Sequence, residues 1–244
     1  VKLVLILNFK QTFKQVQSRF IRKNIDKIFA LLPISIFGII LFGIRALLIF
    51  AVSISSTVIF QYILNKYIEK NEEYDYLEAI VNGLFFAVLL PPTLPLYIVV
   101  IGSLFSVFVV GLFLKNNNVY IVSPAIAARI FLQISYPSQM FTFCEPMSDI
   151  IASATPLSES FYNIKEIIFG VTSGCIGETS SILILIGGIF LFASKLITWE
   201  IPLSIIATSI SISLLLGQNP LLYLCSGGLL LATFFFSLDD GNIP

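Results

Sequence analysis

Two charged residues next to or within apolar runs are the side chains whose chemistry stands out first. Arg129 lies inside the apolar run of residues 121–136, and Glu178 lies at the start of the run 176–194. A charge at bilayer depth costs about 2.5–3.5 kcal/mol on insertion scales, so each should face protein or water and have a partner. For Arg129, a structural ion pair and an ion or cofactor role both stay open. For Glu178 the alternatives are an interfacial carboxylate near a helix N-terminus and the same ion or cofactor role.

The residue types that are missing or scattered exclude several kinds of site. The sequence has no histidine, which excludes a bis-His haem, a zinc site containing His and a Ser-His-Asp triad. Cys144, Cys175 and Cys225 are far apart and form no CxxC motif, which argues against an iron–sulfur cluster. We therefore expect no metal site and assign no catalytic residue, and the cysteines are most simply small hydrophobic residues.

The composition indicates a membrane protein. Of 244 residues, 57% are hydrophobic and only 11% are charged, against about 25% in an ordinary soluble domain. The charges are bunched, and the stretches 79–114 and 201–238 contain none. A soluble globular enzyme is excluded. A nucleic-acid binder is excluded too, because 14 basic and 14 acidic residues leave no surplus to pair with phosphates.

The apolar runs predict an all-α polytopic membrane protein with about eight transmembrane helices. Gly43 and Arg45 divide the first run in two, and the prolines of residues 91–95 end the third. The predicted spans lie near residues 28–42, 45–64, 79–90, 96–114, 121–136, 176–194, 201–216 and 220–237.

Charge placement predicts the sidedness of these spans. Residues 1–27 hold seven of the 14 basic residues and a single acid, Asp26, so this stretch is expected in the cytoplasm. Eight crossings then place the polar stretch 137–166 on the outer face and the C-terminus inside. The Pro- or Gly-interrupted turns at 91–95 and 217–220 suggest an internal repeat.

The polar stretch contains Ser153-Ala154-Thr155-Pro156-Leu157. Taken alone, Thr155 before a proline is the signature of a helix N-cap followed by proline at the first helical position. Glycines such as Gly187 and Gly228 are most simply close-packing points between spans.

Four short motifs occur in one order and together resemble the NqrB/RnfD family. Its members are flavin-carrying membrane subunits of the sodium-translocating NADH:quinone reductase and of the related Rnf electron-transport complex. The resemblance covers roughly residues 28–240 and does not decide between the Nqr and Rnf types. The motifs are Leu90-Pro91-Pro92-Thr93-Leu94-Pro95-Leu96, Ser123-Pro124-Ala125-Ile126-Ala127-Ala128-Arg129 running on to Tyr136-Pro137, Ala154-Thr155-Pro156-Leu157, and Gly174-Cys175-Ile176-Gly177-Glu178-Thr179-Ser180.

The resemblance implies a cofactor. In the family a threonine carries FMN through a phosphoester bond, which a flavin transferase forms on the outer face; here that residue is Thr155. Ser153 and Ala154 belong to the same motif, and Asp149 matches the acidic position upstream of it. The implied function is a redox subunit that couples electron transfer from NADH or ferredoxin to Na+ or H+ translocation. A second, non-covalent flavin and a quinone stay open.

The chain also departs from the family pattern. Ala152-Ser153-Ala154-Thr155 stands where the family has Ser-Gly-Ala-Thr. Asp239 keeps the acid at the position of the aspartate in the family's Met-Ala-Thr-Asp-Pro. The family fold has ten spans in two inverted five-helix halves, so eight spans imply a C-terminally shortened second half. We group Asp239 with Arg129 and Glu178 as candidate ion-pathway or structural residues.

The expected organisation follows from these boundaries: a basic cytoplasmic N-terminus (1–27), a first transmembrane half (28–136), an outer loop with the flavin motif (137–175), a second half (176–237) and a cytoplasmic tail (238–244). The expected location is the bacterial inner membrane, in contact with lipid, the other subunits of an Nqr or Rnf complex and a flavin transferase. The alternatives are a transporter or channel on the same architecture, and a truncated paralogue with a structural role only.

Overall fold

A long kinked helix forms the first part of the chain. Helix α1 covers Lys2–Leu64 and continues as a π-helical turn, Asn65–Glu69. At Gly43 the backbone has φ 63° and ψ −143°, a conformation that glycine adopts without steric cost, so two helices meet there. The predicted break at Gly43 is confirmed. The computed structural model describes residues 2–69, 76–116, 119–120, 122–144, 151–152, 174–178, 180–217, 219–225 and 228–235.

A proline-rich turn separates the next two helices. Helix α2 (Tyr76–Val88) ends before Pro91 and Pro92, which cannot donate backbone hydrogen bonds. Helix α3 (Leu96–Phe113) follows directly and is π-helical over Phe105–Val110. We call residues 88–95 the helix break.

Short helices and two small antiparallel strand pairs make up the middle of the chain. The first pair joins β1 (Lys115–Asn116) to β2 (Val119–Tyr120). Helix α4 (Pro124–Ser135) and a single turn, α5 (Pro137–Met140), follow. The second pair, which we call the hairpin, aligns β3 (Phe143–Cys144) with β4 (Ile151–Ala152), so that Phe143 faces Ala152 and Cys144 faces Ile151.

The last described part of the chain differs from its predicted boundaries at two points. Helix α6 begins at Ser181 rather than 176, because residues 174–178 form a turn. After α7 (Glu200–Leu215), the described residues of the predicted span 220–237 include two short helices, α8 (Pro220–Cys225) and α9 (Leu229–Phe235). The single run of apolar residues gave no sign of that division except its Gly-Gly pair at 227–228.

Helix lengths bear on how the chain meets a membrane. Among the described residues, two helices are long and apolar enough to cross a bilayer: Ile21–Tyr67 and Leu96–Phe113. Four more apolar helices are shorter, at Tyr76–Val88, Pro124–Ser135, Ser181–Ala193 and Glu200–Leu215. The structure thus agrees with a mostly helical membrane protein. The count of eight spans, the two inverted halves and the sidedness stay predictions.

Helices α1 and α2 pack against each other and are joined by side-chain hydrogen bonds. Ser53 Oγ in α1 donates to the carbonyl of Gly83 in α2 at 2.7 Å, and Thr57 Oγ1 donates to Ala79 O at 3.2 Å. Hydroxyl groups that bond across helices are a common way of joining apolar helices. Phe86 and Leu90 are fully buried beside them.

Helix α7 is packed very differently. Of its 16 residues only Pro202 and Ser213 are buried, and Leu203, Ile212, Leu214 and Leu215 are all more than half exposed. Large apolar side chains on the outside are what contact with lipid or with another apolar helix requires.

Candidate functional site

The two charged residues singled out from the sequence meet in the structure. Arg129 projects from α4, and Glu178 lies in the turn 174–178 that precedes α6. Nη1 of Arg129 donates to Oε1 of Glu178 at 2.8 Å, and the pair is a salt bridge. The Glu178 side chain is 8% exposed and that of Arg129 is 24% exposed. A residue 49 positions away therefore supplies the partner that the sequence predicted for Arg129.

A cysteine and a glycine complete the surroundings of the ion pair. Nη2 of Arg129 lies 3.4 Å from Sγ of Cys175, which is buried. A Cβ atom built on Gly228, just before α9, would lie 2.5 Å from Oε1 of Glu178 and 3.6 Å from Nη1 of Arg129. Only glycine leaves room there, so α9 begins directly against the carboxylate.

Backbone hydrogen bonds fix the turn that carries Glu178. Ile176 N donates to the carbonyl of Leu90 at 3.0 Å, and Gly177 N donates to that of Val88 at 2.8 Å. Both acceptors belong to the helix break, where the end of α2 leaves carbonyl groups without helical partners. The helix break thus supplies the backbone acceptors that hold the turn in place.

The pair is best described as a structural ion pair in this conformation. The guanidinium neutralises the carboxylate, so the pair presents no net negative charge to a cation. Among the described residues, no group of three His, Cys, Asp or Glu side chains lies together as a metal site would require. Of the alternatives left open for Arg129, the geometry favours the structural pair, with Glu178 as its partner.

The hairpin leads into the sequence in which the flavin motif is predicted, and a threonine of the helix break holds the hairpin. Thr93 Oγ1 donates to the carbonyl of Thr142 at 2.5 Å. Phe143 and Cys144, which follow at once, are buried. The opposite strand ends at Ala152, three residues before Thr155 in the sequence.

Several predicted site residues cannot be placed relative to this arrangement. They lie outside the part of the chain that the structure describes, so their roles stay predictions: Asp149, Ser153, Ala154, Thr155 and Asp239.

Sequence reasoning missed two participants, Cys175 and Thr93. Cys175 was taken as a small hydrophobic residue, although it borders the ion pair. Gly228 is a close-packing point, as the sequence predicted, and it borders the ion pair as well. The signal for Cys175 was its position three residues before Glu178 in one turn. For Thr93 and its contact with residue 142, 49 positions away, the sequence offered no signal.

Comparison with known proteins matches the chain to one family and to subunits of ion-translocating complexes. Residues 10–242 match the model of the NQR2, RnfD, RnfE family. The chain is 33% identical over 227 residues to a component of the Na(+)-translocating ferredoxin:NAD(+) oxidoreductase complex of Acetobacterium woodii, covering 89% of this chain and 71% of that protein. It is 30% identical over 240 residues to a component of the proton-translocating ferredoxin:NAD(+) oxidoreductase complex of Clostridium ljungdahlii, covering 88% and 72%.

A second group of relatives matches over a shorter part. The chain is 32% identical over 182 residues to a component of the Na(+)-translocating NADH-quinone reductase of Stutzerimonas stutzeri. That match covers 65% of this chain and 45% of the relative.

Proposed function

Because the chain belongs to the NQR2, RnfD, RnfE family, we propose that it is the flavin-carrying membrane subunit of a respiratory complex. Its relatives are subunits of ion-translocating oxidoreductase complexes, and the chain is a membrane subunit of this kind. The relatives from ferredoxin:NAD(+) oxidoreductase complexes are covered over more of their length than the quinone reductase relative. This difference favours an Rnf-type complex, with ferredoxin as the electron donor elsewhere in the assembly.

The flavin proposal depends on the sequence Ala154-Thr155-Pro156-Leu157. FMN would be joined to the hydroxyl of Thr155 by a phosphoester bond, and when bound it would carry the electrons. The chain would supply position and electrostatics, which suits a protein that has no histidine and whose cysteines are scattered. Asp149, Ser153 and Ala154 would form the rest of the attachment motif.

Fluorescence of the denatured polypeptide tests this directly. The full chain is co-expressed with its partner subunits and a flavin transferase, and the membranes are run on a denaturing gel. The wild-type band should fluoresce as a flavoprotein, and Thr155→Val should be dark because it lacks the acceptor oxygen. Thr208→Val is the matched control, since that hydroxyl bonds only within α7. A dark wild-type band, or a bright Thr155→Val band, would contradict the proposal.

The transported ion is Na+ or H+. Of the two ferredoxin-dependent relatives named above, one is called Na(+)-translocating and the other proton-translocating. A cation pathway through Arg129 and Glu178 would require the pair to separate, since each charge neutralises the other in this conformation. Measuring ion uptake into vesicles that contain the whole complex, with and without Na+, separates the two ions. Uptake by the lone polypeptide without flavin would instead favour a transporter or channel.

A further inference from the structure

Helix α1 and the segment that ends in α6 run in opposite directions and pack closely. A Cβ atom built on Gly38 would lie 2.9 Å from the carbonyl oxygen of Ile176, and one built on Gly187 would lie 2.7 Å from that of Ala30. Going back along α1 therefore leads to the same end of the molecule as going forward along α6. Six residues beyond the second contact, about 9 Å along each helix, lie Asn24 in α1 and the last residue of α6.

Positive charge collects at this common end. In the described segments 21–27 and 194–200 there are four basic side chains and two acidic ones, which are Arg22, Lys23, Lys27, Lys195, Asp26 and Glu200. Lys23 and Lys27 lie seven and three residues before Ala30, so both are on the face of α1 that meets α6, with Asn24 beside them. Asp26 is two residues from Asn24 and projects from another face. The face of α1 that packs on α6 therefore ends in lysines.

Lys195 has a backbone conformation that glycine usually supplies. Its φ is 54°, and it follows α6 directly in a Schellman motif, in which Lys195 N donates to Phe192 O and Leu196 N donates to Leu191 O. A lysine is strained in this conformation where glycine is not. The side chain is exposed, so packing does not explain the residue. Its positive charge, beside the C-terminal carbonyl groups of α6, is what glycine would not provide.

Asn24 adds a hydrogen-bond donor that lacks an acceptor. Its side chain is 3% exposed, and no group in the described part of the chain accepts a hydrogen bond from Nδ2. Leaving a buried donor unpaired lowers stability, so an acceptor from outside the chain is favoured here. The oxygens of a phosphate group accept hydrogen bonds and carry negative charge, which suits the amide and the lysines together.

We call this common end the basic end; it consists of Lys23, Asn24, Lys27 and Lys195. We propose that the basic end binds the phosphate group of an anionic phospholipid, as basic pockets between membrane helices do. The lysines attract the charge, and the headgroup displaces the side chains that cover Nδ2 of Asn24 and accepts its hydrogen bond. This proposal does not depend on the flavin.

The surroundings favour a lipid over a free phosphate ion. The sequence predicts spans that begin at residue 28 and end at residue 194, so the basic end would lie at the membrane surface. Ile25 and Phe29 are exposed apolar residues within about one turn of Asn24. They would contact the acyl chains of a lipid whose phosphate lies at the basic end, whereas a free phosphate ion would leave them uncovered.

Trp199 makes lipid binding at this end measurable. It is the only tryptophan in the sequence, it is exposed, and it follows Lys195 by four residues. The full chain is reconstituted in phosphatidylcholine vesicles that contain a small fixed fraction of brominated phosphatidylglycerol or the same fraction of brominated phosphatidylcholine. Bromine quenches tryptophan fluorescence on contact. The ratio of the two quenching constants is the preference for the anionic lipid at the basic end.

Four variants separate a lipid site from a structural role, and circular dichroism checks that each is folded. Lys195→Gly removes the charge and also relieves the backbone strain, whereas Lys195→Arg keeps the charge. Asn24→Leu removes the donor at similar size. Lys66→Gln is the matched control, because Lys66 is an exposed lysine whose Nζ lies over the rings of Tyr62 and Tyr67, outside the basic end.

We expect wild type to prefer phosphatidylglycerol and Lys195→Gly to lower that preference about fivefold, the contribution of one basic residue near a membrane surface. Asn24→Leu should lower it about 10-fold, because a hydrogen bond to a charged group is lost. Lys195→Arg and Lys66→Gln should each change it less than about twofold.

Several results would overturn the proposal. They are a wild type without preference, a wild-type preference in Lys195→Gly or Asn24→Leu, and an equal loss in Lys66→Gln or Lys195→Arg. Titration of inorganic phosphate into vesicles of phosphatidylcholine alone distinguishes the two sources of phosphate. A saturable change in Trp199 emission, in a wild type that shows no preference for phosphatidylglycerol, would assign the basic end to free phosphate instead.

Discussion

Removing the charge of Glu178 is the sharpest test of the ion pair. Glu178→Gln keeps the size and shape of the side chain but leaves Arg129 with a neutral partner. The guanidinium stays protonated under all ordinary conditions, so a largely enclosed positive charge loses its counter-ion. The double variant with Arg129→Met replaces both charges by neutral groups of similar length.

The structure sets the size of the expected effect. Removing one member of a buried ion pair costs about 3–5 kcal/mol, most of it from the charge left behind. Glu178 is 8% exposed, but Arg129 is 24% exposed and keeps some water. We therefore expect the lower end, about 3 kcal/mol of the free energy of unfolding, for Glu178→Gln. Without a stranded charge, the double variant should recover at least about 1 kcal/mol of that loss.

Unfolding of the purified protein in mixed micelles, followed by circular dichroism as the denaturing detergent fraction rises, measures these differences. Glu200→Gln, at the exposed start of α7, is the control for removing a carboxylate and should change the unfolding free energy by less than about 0.5 kcal/mol. A loss below about 1 kcal/mol for Glu178→Gln, or a double variant less stable than Glu178→Gln, would refute the reasoning.

Three further substitutions test the packing in the same unfolding assay. Gly228→Ala should cost about 1–3 kcal/mol, because the new Cβ would lie 2.5 Å from Oε1 of Glu178 and displace the carboxylate. Gly43→Ala should cost about 1–3 kcal/mol from backbone strain alone, since φ is +63° and no atom lies within 4 Å of the added carbon. Ser53→Ala should cost about 1 kcal/mol, because the carbonyl of Gly83 loses its cross-helix donor.

Matched variants separate these effects from general damage. Gly111 is helical with its nearest neighbouring atom at 3.9 Å, so Gly111→Ala should be neutral or stabilising. Ser55 is exposed and bonds only to Val52 O in its own helix, so Ser55→Ala should leave stability unchanged. If Gly228→Ala lowered the free energy of unfolding no more than Gly111→Ala does, the contact between Gly228 and Glu178 would not contribute as described. The same holds for the bond from Ser53 to Gly83 if Ser53→Ala lowered it no more than Ser55→Ala does.

The sequence allowed much of the helical architecture to be predicted. A helix break at Gly43 and another at residues 91–95 follow from glycine and proline chemistry, and both are present. The start of α6 and the division of the last span were missed. Apolar residues such as Ile176 are as suitable for a buried turn as for a helix, and hydrophobicity does not distinguish the two.

The site was predictable only in part, for a related reason. Insertion energetics required a partner for Arg129, but the identity of that partner depends on how segments 49 residues apart come together. The contact between Thr93 and Thr142 uses a main-chain acceptor, which any residue type would supply. Family resemblance pointed to Thr155 from its motif, and the described contacts end three residues before it.

The separation of Arg129 and Glu178 along the chain has a consequence for biogenesis. At about 5–20 residues per second, the ribosome needs roughly 2–10 s to make the 49 residues between them. If α4 is the transmembrane span that the sequence predicts, Arg129 enters the translocon before its counter-ion exists, and water or lipid headgroups solvate its charge until Glu178 is made. On that prediction, synthesis of the turn 174–178 is the step that lets α4 pack in place, so a pause in translation between these two points should expose the unfinished chain to membrane quality control.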